Sequence, residues 1–259
     1  DTDEKIPMAA FFDDYEAFFE GRAVQTDGSS VVLTNIATLN NARVDMWGDP
    51  SVNWFVDYNY ENIDPVTGLP TGTLRIPAFL MHNYRYVDSR SILKNSCDYV
   101  RAELLSLIKE HGLPGMPHVK ADDVVDIIFT SATELEFWVK TPSRTVTKKE
   151  LSVSQKLQEQ YWQRTQGTVR TALEQAVERL DRYGMVAEMG HKEVGGVKAK
   201  LDEDGHEAVV LEQLEIDWKF SNNPLQTADN ELQARIIVRE VFRENGLDVT
   251  FNAKPIITA

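Results

Sequence analysis

The chain has 259 residues, 42% hydrophobic and 26% charged, which is enough apolar mass for one large domain or two smaller ones and too much for a disordered chain. Its 27 basic residues against 41 acidic ones give a formal charge of −14, which argues against nucleic acid and against an anionic membrane surface as partners. No apolar run approaches the ~20 residues of a bilayer span, the opening DTDEKIPMAA lacks the regions of a signal peptide, and a lone Cys97 excludes an intrachain disulfide and argues against a cysteine zinc site; a cytoplasmic location is expected.

Residues 1–90 mix strand-like runs, SSVVLTNIATL, SVNWFVDYNY and GTLRIPAF, with turn signals at DG, GDP, DPVTGLP and IP. This predicts a small, mostly β domain. From about residue 91 the pattern changes. Val100, Leu104, Leu107 and Ile108 recur at helical spacing and HGLPG supplies stop signals, so a long helix is expected to open a larger domain over 91–259. VVDIIFTSATELEFWV is predicted as a strand region and KTPSRTVTKKE as a solvated connection. A second helix carries Val169, Leu173, Val177 and Leu180 on one stripe, with Gly184 to end it. VAEMGHKEV and AVVLEQLEIDW read as strands flanking GGVKAKLDEDGHE, an extended hairpin or flap. A third helix through Leu232, Ile236, Val238 and Val241 to Gly246, and a last strand DVTFNAKPI, complete the pattern. The fold class is α+β, with helices alternating with largely antiparallel strands. Because the chain starts without Met and stops directly after that strand, both ends read as cut.

The chemistry concentrates in the acidic strands. In ATELEFWV a period of two sends Glu134, Glu136 and Trp138 to one face and Leu135, Phe137 and Val139 to the other. Adjacent carboxylates on one face repel unless water screens them or a cation lies between them, and hard divalent cations prefer such oxygen ligands. Taken alone, the pattern also describes a solvent-facing edge strand. In LEQLEIDW, Gln213, Glu215 and Asp217 point one way and Leu214, Ile216 and Trp218 the other. Glu188 and Glu193 have opposite parity and can face one site only if the strand bulges or ends, which is expected at Gly190. His191 alone reads more readily as a surface or hydrogen-bonded histidine than as a ligand, and the DG of Asp27 as a β-turn.

The ordered set ELEF, E-x-x-H-x-EV, EQLEID, ADN before a helix and TF-x-x-KP resembles the first half of the catalytic domain of glutamine synthetase. EGRAVQTDGSS with VDMWGDPS resembles that family's small β-grasp domain, and VDSRSIL resembles the start of its catalytic domain; the likeness runs from about residue 20 to 256. It implies a β-grasp domain (1–90), followed by the amino-terminal portion of a catalytic domain (91–259) with a mostly antiparallel curved sheet backed by helices. It also implies a metal site of Glu136, Glu193 and Glu215, with Glu134 serving a second ion, so two or more Mg²⁺ or Mn²⁺ per site. Glu188 matches a residue that touches the nucleotide, ATP, and His191 one near the phosphate-transfer site. Asp27 matches an aspartate that reaches into a neighbouring subunit's site and helps bind and deprotonate ammonium, so a ring-based homo-oligomer is expected, with L-glutamate and ammonium as substrates.

The pattern is not met everywhere. Lys192 stands where relatives carry a histidine, Glu212-Gln213 where Gly-Gln is usual, and NAKP where MPKP is usual; the connection between Glu193 and Glu215 is also longer than expected. In the family the remaining metal ligands, the phosphate-binding arginines and the flap glutamate lie beyond the point matching Ala259, so this chain by itself is not expected to be competent. The implied activity is ATP-dependent ligation of ammonia to glutamate through a γ-glutamyl phosphate. The alternatives are a γ-glutamyl ligase for another amine or polyamine, and a non-catalytic regulatory relative.

Overall fold

The computed structural model describes residues 24–25, 45–141, 165, 167–201 and 207–255. The SSVVLTNIATL run, Asp27, the connection from residue 142 and the tip of the predicted flap at 202–206 lie outside the described residues. The chain forms two compact units, one of residues 1–129 with 222–226 and the other of 130–221 with 227–259.

In the first unit, β1 (Val24–Gln25), β2 (Asp45–Gly48), β5 (Ala78–His82) and β6 (Arg85–Tyr86) form an antiparallel sheet in the order β1-β2-β5-β6, and β3 (Phe55–Ile63) with β4 (Pro70–Arg75) form a separate hairpin. The helix α1 (Ser89–His111) starts where Asp88 caps it, accepting from Ser91 N at 2.7 Å and also from Leu80 N at 2.8 Å, and ends at Gly112 with φ 73°. One side chain therefore fixes both the helix start and its approach to β5. The expected helix is present, yet Val100, Leu104 and Leu107 are exposed, so its apolar stripe is not covered by the described residues of this unit.

Asp49 is the polar anchor of this unit. Its carboxylate is buried, accepts from Arg90 Nη2 at 2.6 Å and takes two hydrogen bonds from Ser51, through N at 2.9 Å and Oγ at 2.6 Å. Burial alone would raise its pKa, but the Ser51 and Arg90 hydrogen bonds outweigh it and hold the group below its ordinary 3.8. The segment 222–226 belongs to the same unit, where Asn223 Nδ2 donates to Ser51 O at 2.9 Å.

The second unit contains a four-stranded antiparallel sheet in the order β10-β7-β9-β8, built from β7 (Glu134–Thr141), β8 (Ala187–Leu201), β9 (Glu207–Trp218) and β10 (Asp248–Thr250). The α+β class with antiparallel strands is as expected. The predicted strand region 124–139 forms a strand only from Glu134; Val125 and Ile128 are exposed and pair with no strand, so apolar content alone did not make a ladder there.

Leu135, Phe137 and Val139 point to the buried side of this sheet, where Phe137 meets Phe242 edge to face at 5.3 Å between ring centroids. The helix α2 (Gly167–Arg182) contributes Val169, Ala172, Leu173, Ala176 and Leu180, a stripe spaced to bury one face. Gly184 follows with φ 73°, and Met185 N returns to Leu180 O at 3.1 Å. In α3 (Pro224–Glu244) the buried stripe is Ala234, Ile237, Val238, Val241 and Phe242, whereas Leu232 is exposed. The ADN triplet, expected before this helix, lies within it, with Asp229 and Asn230 buried. Arg179 and Glu244 join α2 to α3 through bonds of 3.1 and 2.8 Å.

Asp49→Ala removes the buried carboxylate that accepts from Arg90 and Ser51 and is expected to lower stability by about 1.5–3 kcal/mol at pH 7, read by urea denaturation. A lowered folded pKa makes this contribution present above the unfolded value and lost as pH falls through the folded one, so the gap between wild type and variant should shrink below about pH 4. A gap independent of pH would remove the carboxylate from this account.

Candidate active site

The three central strands set one acidic row. Cross-strand partners in an antiparallel sheet share a face, and the register places His191 of β8 opposite Glu215 of β9, and Glu215 opposite Glu136 of β7. The next row is Met189, Asp217 and Glu134. Two rows thus bring four carboxylates and one imidazole to the face opposite the Leu214 and Ile216 side, which is fully buried. Glu134 and Glu136 are exposed, while Glu215 and Glu193 are only 6% and 8% exposed, so the acidic row runs from wet carboxylates on β7 to sheltered ones on β9 and β8.

Glu193 joins this face from β8 and hydrogen-bonds Glu215. Glu188 does not lie beside them: Ala187 pairs with Trp218 and Met189 with Asp217, so Glu188 is an extra residue in a bulge, and it is exposed. The bulge expected at Gly190 therefore sits two residues earlier. Gly190 has another task, because a Cβ there would lie 2.9 Å from Leu173 Cδ1 and 3.1 Å from Val177 Cγ2. Glycine lets α2 pack closely under the strand that carries His191 and Glu193.

The electrostatics follow from this crowding. Burial, the hydrogen bond with Glu193 and the charges of Asp217, Glu193 and Glu134 push the Glu215 carboxyl up to about 8. Without a cation, the cluster holds a proton where positive charge is needed. Glu136 is steadied separately, accepting from Gln213 Nε2 at 2.8 Å. Ligand atoms of His191, Glu215 and Asp217 all lie within 4.8 Å of one another. The carboxylate oxygens gathered on this face fit Mg²⁺ or Mn²⁺, and the raised Glu215 pKa is what such a site shows when that charge is not supplied. The period of two placed Asp217 and Gln213 on this face but gave neither a role; their partners lie on other strands and leave no local signal.

Lys192 and Glu212, the two residues of these strands that the sequence resemblance singles out, meet in space. Lys192 Nζ lies 2.9 Å from Glu212 Oε1, with side chains only 10% and 12% exposed. Both residues belong to the Leu214 side of the sheet, away from the acidic face. Each compensates the other's charge on the side of the sheet away from the acidic row.

Glu215 ionises in the unfolded chain near its ordinary 4.5 and in the folded one at about 8. The folded state is favoured below the first value and loses that advantage as pH rises to the second. Glu215→Gln is therefore expected to melt ~2–6 °C above wild type in metal-free buffer at pH 9, with the two converging near pH 4 in calorimetry. Lys192→Met or Glu212→Leu alone should cost about 3–5 kcal/mol, while the double substitution should be close to neutral. Additive losses in denaturation would mean that the two charges do not compensate one another.

Comparison with known proteins places the sequence in a family. The sequence matches the family described as glutamine synthetase, catalytic domain, over residues 118–259. A solved structure described as a GmaS/ADP complex, conformation 1, is similar at 15% identity with a TM-score of 0.43, over 97% of this chain and 45% of the other. The chain thus spans less than half the length of that structure. No curated protein matches the sequence. The family match covers more than half of the chain and contains every strand of the acidic face: the chain belongs to the family of the glutamine synthetase catalytic domain.

Proposed function

We propose that the protein joins ammonia to the γ-carboxylate of L-glutamate at the expense of ATP, and that this chain supplies the acidic part of the site. The observation that carries the reading is the row His191, Glu215 and Glu136 on one sheet face, with Glu193 bonded to Glu215. A carboxylate is a poor electrophile, and activating it with ATP brings two anions together. Divalent cations, when bound, would neutralise the oxygens of both anions. Glu136, Glu193 and Glu215 would hold them, with Glu134 beside. Glu188 and His191 would lie towards the nucleotide and the transferred phosphoryl group. Asp27 would attract ammonium and accept the proton it must lose before it attacks; in a ring-based homo-oligomer it would serve a neighbouring subunit's site.

The experiment is ADP release by the gene product as the cell makes it, with glutamate, ammonium and Mg²⁺ or Mn²⁺. Release is expected to require both substrates and to fall at least 100-fold in Glu136→Ala, a loss in the range seen when one electrostatic contributor to a site is removed. Ammonium, ethylamine and putrescine compared as acceptors identify the amine. Release with an amine other than ammonium would change the acceptor, and metal binding without release would overturn the ligase reading. In the described residues no helix is long and apolar enough to cross a membrane.

A further inference from the structure

We propose that Asp217 is a positioning residue that fixes the imidazole of His191 at the edge of the acidic row. The part this plays in turnover rests on the ligase reading above; the placement of the ring does not. His191 Nε2 lies 2.9 Å from Asp217 Oδ2 and 3.6 Å from Glu215 Oε2, so Asp217 makes the hydrogen bond although Glu215 is the residue directly opposite. On the other side of the ring, His191 Nδ1 lies 3.1 Å from Lys192 O. A carboxylate oxygen only accepts, so the bond to Asp217 directs the Nε2–H at that side chain, while Nδ1 lies against the backbone carbonyl of Lys192. A ring flip would break the bond to Asp217.

The sheet explains why Asp217 can do this. Asp217 lies on the face of Glu215, one row along, and the β8 residue opposite it is Met189, whose thioether offers at most a weak acceptor and does not compete for the carboxylate. The Ala187–Met189 bulge sets this register, and without the extra residue His191 would meet a different row. Asp217 and His191 are 21% and 19% exposed as side chains, sheltered enough for a charge-assisted hydrogen bond to hold its geometry. A further carboxylate beside Glu193 and Glu215 is unfavourable unless it has a task, and holding the histidine is one.

The test is direct observation of the ring nitrogens by ¹H–¹⁵N NMR, with the His191 signals identified by their loss in His191→Gln. Asp217→Ala is expected to shift the His191 ring signals and expose the Nε2 proton to exchange, and Asp217→Glu to restore much of the wild-type pattern. Ring signals unchanged in Asp217→Ala would overturn the proposal whatever the enzyme's activity. In turnover, Asp217→Asn should lower kcat about 10–100-fold with little change in KM, the usual size for a carboxylate that orients a site histidine. It should lower kcat no further in the His191→Gln background, because a positioning residue has nothing left to position. Losses that multiply in the double variant would also overturn it. If wild type lacks ligase activity, the ligase reading fails and the NMR result alone decides the role of Asp217.

Discussion

Like-charge repulsion on one face of a β-sheet is the constraint on which the rest of the second unit depends. Glu134, Glu136, Glu215 and Asp217 are brought together by strand register, with Glu193 arriving from the neighbouring strand. Nothing local to any of these strands favours such a meeting. The free energy that holds them comes from the other face, where Leu135, Phe137, Val139, Leu214 and Ile216 are buried, and Phe137 packs on Phe242. Period-two alternation ties the two faces together: a one-residue slip that relieved the charges would turn the apolar set out to water.

The same coupling accounts for small features around the site. Gly190 keeps β8 close to Leu173 and Val177, and the bulge at Glu188 restores the phase that lets His191 stand opposite Glu215. The helices end at Gly184 and Gly246, both with positive φ, and each turn is followed by a buried apolar residue, Met185 or Leu247. Backbone geometry, packing and site chemistry are here successive consequences of one alternating pattern.

Much of this was legible in the sequence, for definite reasons. Helices α1 and α2 announced themselves by spacing and terminal glycines, and the parity of Glu134, Glu136 and Glu215 gave the acidic face because strand alternation is a local rule. What escaped was what depends on partners far along the chain. The bulge falls at Glu188 and not at Gly190, because β9 decides which residue is left over. Leu232 looked like part of a core stripe, but the stripe on α3 runs through Ile237, Val238 and Val241. The bonds from Arg90 to Asp49, His191 to Asp217 and Gln213 to Glu136 pair residues that no local motif connects.

The Lys192–Glu212 contact bears on how such a chain can be altered, by nature or by hand. Each residue is a sheltered charge when its strand is taken by itself, and replacing either by a neutral residue would leave the opposite charge enclosed beneath the sheet. Either single replacement therefore falls into a valley that the two together avoid. A chimera that takes β8 from one relative and β9 from another crosses that valley at the junction, with every carboxylate of the acidic row still in its proper place.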